Sequence, residues 1–393
     1  MRKGTLRNLL DSSKLETGGD DIQAAQLASD RLADLFEAGK VQPDDFSVKA
    51  MFEELVDPKH EFNHSTDAKV LQEAVTSSAF PTITNTVINA AIIPAYELAV
   101  GPAARLVSEA PATKTSREEV AGYTSGGQFA VRREHMSYEE DTLSEKYWSI
   151  DKADFGKIIS LTREAIFDDR TGDLINRARI MGEKGGQLRA KIITKTLEVG
   201  IRTEYGESAS QAAVYKGTAT TASNFYNATH AALIDSAGIN KNLNTSNGLG
   251  VAGALNTCNA LFSKMLDESG DEIGVVADTL IYPPDLFETA KELLADSSKR
   301  SVQGASRVSE TSANVWQGRF EPVELPFLSS TSTWYLGSPK KQMLWLWVWK
   351  PETKVQTENS ESAFHAQIVL RYRFSFNGGC GHTDYRFIAK NTA

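Results

Sequence analysis

Residues 147–197 read YWSIDKADFGKIISLTREAIFDDRTGDLINRARIMGEKGGQLRAKIITKTL. A β-type run through Ile158, Ile159 and Leu161 passes by way of Arg163-Glu164-Ala165-Ile166 into an Asp-Asp-Arg-Thr-Gly punctuation. One long helical pattern follows over 170–199, with Leu174, Ala178, Met181, Leu188, Ile192 and Leu197 as its apolar stripe. Asp168, Asp169 or Thr171 suits the cap, and Asp173 suits the first turn. Gly182, Gly185 and Gly186 sit inside this helix, each at a cost of about 1 kcal/mol relative to Ala. Close packing of another element against at least one of them is the expected reason. Where no such contact exists, Gly→Ala should be neutral or stabilising. The stretch holds no constellation of an active site. It reads as a strand feeding a stiff spine.

Toward the C-terminus, residues 206–250 are rich in Ala, Ser, Thr, Asn and Gly, which signals loops and turns. A helix is predicted over Val251–Leu266, a strand over Gly274–Tyr282, and a second helix opening at Pro283-Pro284-Asp285 and running through Leu294. From Asn314 the pattern is mostly β, with candidate strands at 320–325, 334–336, 343–349, 365–376 and 384–389. Leu344-Trp345-Leu346-Trp347-Val348-Trp349 is apolar on both faces, so both should be covered.

Toward the N-terminus, residues 107–158 are polar and β-compatible around Ser125-Gly126-Gly127, with a sparse core. They read as a long hairpin with its tip near Gly126-Gly127. Residues 79–106 hold a helix around Thr84–Leu98. Residues 1–78 are helical in pattern and acidic, with nine Lys/Arg against fifteen Asp/Glu. Ala28, Leu32, Leu35 and Phe36 share one face there, with Gly39 as a stop. A second short helix bears Val48, Met51, Phe52 and Leu55, and a third begins near Ser65-Thr66-Asp67. Helices this short need a surface to lie on.

The 393 residues carry a net charge of −9, which argues against a generic basic grip on nucleic acid. Two cysteines, Cys258 and Cys380, are too few for a disulfide framework and fit a reducing cytoplasm. The N-terminus has basic residues but no apolar core of a signal peptide. The apolar segment 88–100 is short and carries Pro94, so no membrane span is expected.

The run Gly156–Asp169, GKIISLTREAIFDD, resembles the segment that precedes the spine helix in Mu-like major head subunits of tailed phages. Strand, Pro-Pro and helix in series, and the closing Asp384-Tyr385-Arg386 with Lys390-Asn391, are also similar to that family. The resemblance covers roughly 79–393. It implies an α+β chain with the tailed-phage/herpesvirus major capsid protein fold. It would comprise an N-terminal helical arm (1–78), a helix leading into the body (79–106) and an extended β-hairpin loop (107–158). A peripheral domain with the spine helix (159–205), an axial domain (206–342) and C-terminal strands returning to the peripheral domain (343–393) would follow. It further implies self-assembly into hexamers and pentamers of an icosahedral shell around double-stranded DNA. Scaffolding or protease, portal and decoration proteins are implied partners, the virion is the location, and assembly takes place in the host cytoplasm. No cofactor, catalytic residue or membrane is implied. Arg117, Gly126, Gly127, Arg132 and Arg133 are the candidate inter-subunit contacts, the arginines facing acidic partners such as the arm. An encapsulin-type compartment is the alternative on the same fold.

One segment points to another class. His60-Glu61-Phe62-Asn63-His64 matches H-E-x-x-H, in which two histidines one helical turn apart bind zinc and Glu acts as base. Its flanks are polar, Pro58-Lys59 precede it, and a helix-start signal follows it, which favours an exposed linker. Asp168-Asp169 and Glu139-Glu140-Asp141 are adjacent carboxylates that point apart and form no acid–base pair. Gly248-Leu249-Gly250-Val251-Ala252-Gly253 lacks the spacing of a phosphate loop. Asn227-Ala228-Thr229 and Asn244-Thr245-Ser246 match glycosylation sequons by chance.

Overall fold

In the computed structural model the chain divides into two units. One holds 1–100, 154–188 and 349–377; the other holds 101–153, 189–348 and 378–393. The structure describes residues 5–18, 20–62, 66–67, 70, 73–75, 79–121, 147–168, 173–199, 225–226, 240–251, 253–266, 272–295, 314–356 and 368–393.

The first unit is built on helices. α1 (Thr5–Glu16) and α2 (Asp21–Glu37) pack together, and Asp20 caps α2 by accepting from the amides of Ile22 and Gln23. The stop comes where the sequence places it: α2 ends at Glu37 and Gly39 takes a φ of 65°. Ser47 caps α3 (Val48–Leu55), which buries Val48, Met51 and Phe52. α4 (Phe80–Val100) is the central helix, with eleven buried residues. Phe52 meets Phe62, Phe80 and Phe167 edge to face, and the Lys49 ammonium donates to the Phe167 carbonyl at 2.7 Å. The N-terminal helices thus have a surface of their own to lie on.

Pro94 does not interrupt α4, which runs unbroken for 21 residues. With the 3-10 turn after it, the stretch to Leu106 is long and apolar enough to cross a membrane by length and composition alone. The helix expected over 84–98 thus extends at both ends, and the apolar segment is longer than the 88–100 taken to be interrupted at Pro94. Burial on several sides accounts for the apolarity, as for any helix central to a core. α5 (Arg163–Asp168) follows, then α6 (Asp173–Val199), the predicted spine, 27 residues long with Asp173 in its first turn.

Among the described residues the strands form three sheets. β1 (Ser108–Pro111), β2 (Glu118–Ala121), β3 (Tyr147–Ile150) and β4 (Ala153–Thr162) precede α6. β5 (Leu243–Asn244), α7 (Ala254–Ser263), β6 (Thr279–Tyr282), α8 (Phe287–Ala295), β7 (Glu321–Glu324), β8 (Trp334–Gly337) and α9 (Pro339–Gln342) follow it. The long β9 (Met343–Gln356) and β10 (Ile368–His382) and the short β11 (Ile388–Asn391) close the chain. One sheet has the order β1-β9-β10-β4; β2 and β3 pair alone, antiparallel. Thus Ser108–Pro111, inside the predicted hairpin range, and Ala153–Thr162, which begins inside it and runs past its end at 158, serve a different sheet from its root.

The five-stranded sheet, order β5-β11-β8-β6-β7, lies wholly in the second unit. All four residues of β6 are buried, and Pro322 sits on β7, an edge strand where a missing N–H is tolerated. α7 and α8 contribute Leu255, Cys258, Phe262, Ala290 and Leu294 to its core beside Leu280, Trp334 and Leu336. α7 begins later than predicted because Gly253, with φ 83°, turns the chain immediately before it, and it ends at Ser263, short of the predicted Leu266.

Candidate functional site

Of the candidate contact residues, Arg117 lies in the described structure; Gly126, Gly127, Arg132 and Arg133 lie outside the described residues. Arg117 stands at the root of the hairpin, its Nε 3.7 Å from Asp151. One residue on, Glu118 is paired with the fully buried Lys152 ammonium and accepts the Thr113 hydroxyl at 2.6 Å. Burial pushes the Glu118 carboxyl up, but the hydrogen bonds from Lys152 and Thr113 outweigh it and hold the group down to about 2. The root also rests on β10. A Cβ on Gly379 would fall within 3.0 Å of the Asp151 carbonyl, and one on Gly381 would meet the buried Ile150 side chain. Neither glycine has a left-handed φ, so close approach alone excludes a side chain there. The root is therefore fixed by a buried ion pair between its own flanks and by backbone laid on backbone.

The spine helix is held differently along its length. In the first unit a Cβ on Gly182 would fall within 3.0 Å of the Ile92 carbonyl oxygen, and one on Gly186 equally close to that of Tyr96. A Cβ on Gly185 would stand 2.9 Å from the Phe374 ring and 3.3 Å from that of Tyr96. Gly182 and Gly186, and Ile92 and Tyr96, are each one helical turn apart, so α6 and α4 meet backbone to backbone. All three glycines are in close contact. The expected neutral or stabilising Gly→Ala change therefore has no position left among them.

In the second unit the last turn of α6 leaves carbonyls with no partner inside the helix. Three separate segments supply them. His382 stands 2.9 Å from Thr196 O, the Tyr226 hydroxyl donates to Leu197 O at 2.7 Å, and the Lys390 ammonium donates to Glu198 O at 3.1 Å. The Glu198 carboxylate accepts the Ser329 hydroxyl at 2.6 Å and Lys195 at 2.9 Å; burial raises its pKa, and these bonds lower it on balance.

Two polar clusters were not seen in the sequence. Asn391 accepts through its amide oxygen from Asn244 and from Asn247, both at 2.9 Å, and its nitrogen faces the Cys258 sulfur at 3.2 Å. The segment read as turns, with a chance sequon at Asn244, is thus tied to the last strand by buried amides, and Asn244 is 4% exposed. Burial raises the Cys258 thiol to about 12, which makes it an inert core group. The second cluster explains the Trp-rich strand. The Arg189 guanidinium lies 4.8 Å from the Trp345 ring and 4.7 Å from that of Trp347, and Glu109 both pairs with Arg189 and accepts from Trp347 Nε1 at 2.9 Å. Trp345 and Trp347 are buried, as a covered strand requires.

The described part of the H-E-x-x-H match is not helical. His60 takes a left-handed φ of 56°, and Asp57 accepts from the amides of Glu61 at 2.6 Å and Phe62 at 3.0 Å. Residues 60–62 follow a turn and are not helical; His64 lies outside the described residues.

A family model of phage capsid proteins matches residues 146–391, well over half of the chain. No curated protein matches. Among solved structures, a chain from Microbacterium phage Oxtober96 is similar at a TM-score of 0.44 and 12% identity, over 74% of this chain and 90% of that one. A capsid of the native GTA particle gives a TM-score of 0.44 and 12% identity over 75% and 90%. A chain from Gordonia phage Cozz gives 0.42 and 10% over 74% and 85%.

Proposed function

The chain belongs to the phage capsid protein family, and from that premise we propose how this major capsid shell protein builds its shell. It self-assembles into hexamers and pentamers that tile an icosahedral head around double-stranded DNA, without a cofactor or a catalytic step. The family match carries this reading. The net charge of −9 suits a wall that encloses DNA without gripping it. Many modest contacts between copies sum to a stable shell.

The hairpin that leaves at Ala121 and returns at Tyr147 is the element that reaches a neighbouring copy. Arg117, Gly126, Gly127, Arg132 and Arg133 serve that contact. Its root is closed by its own ion pairs, so the subunit does not need the tip to fold. Scaffolding or protease, portal and decoration proteins act with it, assembly takes place in the host cytoplasm, and the units correspond to the peripheral and axial domains of the family. Negative-stain microscopy of the expressed full chain tests the reading. Shells, tubes or capsomer rings are expected, and removal of the hairpin tip should leave a folded subunit that does not assemble. A compact monomer under every salt condition, by sedimentation at micromolar concentration, overturns it.

A further inference from the structure

We propose that His382 is an acid-labile latch: its neutral imidazole ties the end of α6, through Gln342, to the entry of the last strand β11, and protonation opens that tie. The atoms leave one arrangement. Thr196 O can only accept, so His382 Nε2, 2.9 Å away, carries the proton. His382 Nδ1 lies 3.4 Å from Gln342 Nε2. The orientation of that amide is fixed, because Gln342 Oε1 accepts the Phe387 N–H at 3.0 Å. An amide nitrogen only donates, so Nδ1 must be bare. A proton on Nδ1 would face a donor. Turning the Gln342 amide would give it an acceptor, but would leave the buried Phe387 N–H against an NH₂ group.

Gln342 is the hub of the tie. Its main-chain carbonyl accepts from the Thr383 amide at 2.8 Å, and the Phe387 carbonyl accepts from the Ser338 amide at 2.8 Å. On its other side the imidazole stacks on Phe225, centroids 4.1 Å apart and planes at 24°. The next residue, Tyr226, caps Leu197 O, so the ring sits between two of the segments that close the helix.

Charged groups lie on every element around it. Lys195 and Glu198 on α6 pair with each other at 2.9 Å. Lys340 and Lys341 lie on α9, with the Lys341 ammonium over the Phe387 ring. Asp384 and Arg386 follow His382 in the chain, 3.8 Å apart. Lys390 and Tyr226 meet at the helix end, and the Tyr335 ring lies tilted against that of Tyr226, centroids 5.8 Å apart. None of these is a hydrogen-bond partner of the imidazole among the described residues. The carbonyl end of a helix favours a cation, typically by about 0.3–1 kcal/mol. Burial outweighs it: the ring is pushed down to about 4, against the upward pull of Thr196 O.

The folded value lies below the unfolded one, so the contribution to stability is complete above pH 6.5. It is lost as pH falls through 4. At about pH 4.5 the latch region should open on the order of tens of times more often than at neutral pH.

Hydrogen–deuterium exchange on the full chain, corrected for intrinsic rates, reads this directly. Peptides covering 190–199 and 383–391 should show at least about a tenfold rise in opening between neutral pH and about pH 4.5, while 83–92 in α4 should not. His382→Gln should abolish the difference between the two pH values. Gln342→Glu offers an acceptor to both Phe387 N–H and a protonated Nδ1, so it should invert the sign: protected in acid, loosened as pH rises. A pure packing role would not produce that inversion. An acid response of the same size in His382→Gln overturns the latch. If that variant does not fold, Gln342→Glu decides alone, and unchanged acid opening in it overturns the proposal.

Discussion

The two halves of α6 are held by opposite means. Residues 173–188 pack by the absence of side chains, three glycines admitting the carbonyls of Ile92 and Tyr96 and the ring of Phe374. Residues 189–199 are held by added side chains, with Arg189 stacked on two Trp rings and the last carbonyls met by His382, Tyr226 and Lys390. The first arrangement is intolerant of any added atom and nearly indifferent to pH. The second tolerates small changes of size but depends on which groups donate and accept. A spine built this way has one end set by shape and the other by chemistry.

The sharpest way to break the comparison is to put a side chain on the shape-held half. Gly186→Leu and Gly182→Leu should each cost about 3 kcal/mol or more and block folding or assembly. Even Gly186→Ala and Gly182→Ala should destabilise by about 1–3 kcal/mol, although Ala is the better helix former. The obstacle is a backbone carbonyl, which cannot rotate away. Gly185→Ala meets ring atoms that can shift, and should cost less. Denaturant midpoints at constant m-value measure all of these. Equal stability of Gly186→Ala and the parent would mean that the helices are not in backbone contact.

Next in size is the amide cage of the second unit. Asn391→Ala removes the one oxygen that accepts from both Asn244 and Asn247 and leaves two buried donors to find other acceptors. Each unsatisfied donor costs about 1–3 kcal/mol, so a loss of about 2–4 kcal/mol is expected in the same denaturant experiment. Asn391→Asp keeps an acceptor there and should recover part of the loss if hydrogen bonding, and not volume, is the cause.

These two predictions differ in how far the sequence could have led to them. A glycine inside a helical pattern is a local anomaly, so the close approach at α6 was legible from residues 182–186 alone, though not which element would approach. The same holds for the helix stop at Gly39, for Pro283-Pro284 ahead of α8, and for the Trp-rich β9. Asn391 and Asn244 are 147 residues apart, and neither position breaks a local rule. A run such as Asn242-Leu243-Asn244-Thr245-Ser246-Asn247 has the composition of a turn, and only the partner strand makes it a buried ladder. Pro94 misled for the converse reason. A proline in an apolar run is held on the exposed face of a helix whose other faces bury eleven residues. The proposed contact surface was the least legible, because contacts between copies leave no period in one chain.

A smaller effect tests the chemistry-held half directly. Tyr226→Phe deletes only the hydroxyl that meets Leu197 O, inside a fully packed site. About 1 kcal/mol should be lost, the usual net worth of one neutral hydrogen bond. Exchange of amides near 193–199 should quicken more than exchange in 173–186. Uniform quickening along α6 would mean that its two halves open as one piece and are not held separately.

The smallest effect belongs outside both halves, at His60-Glu61-Phe62-Asn63-His64. The double change His60→Ala and His64→Ala should leave assembly products unchanged by microscopy, and elemental analysis of the parent should find no stoichiometric zinc. The reason is conformational. His60 sits at φ 56° next to amides held by Asp57, a non-helical backbone that does not suit the helical H-E-x-x-H arrangement. Such a φ disfavours any residue with a Cβ, Ala as much as His. His60→Gly should therefore stabilise the subunit by about 0.5–1 kcal/mol, a gain that a metal ligand could not show on removal. One zinc per chain, lost in the double variant together with assembly, would reverse the assignment and make this segment a metal site.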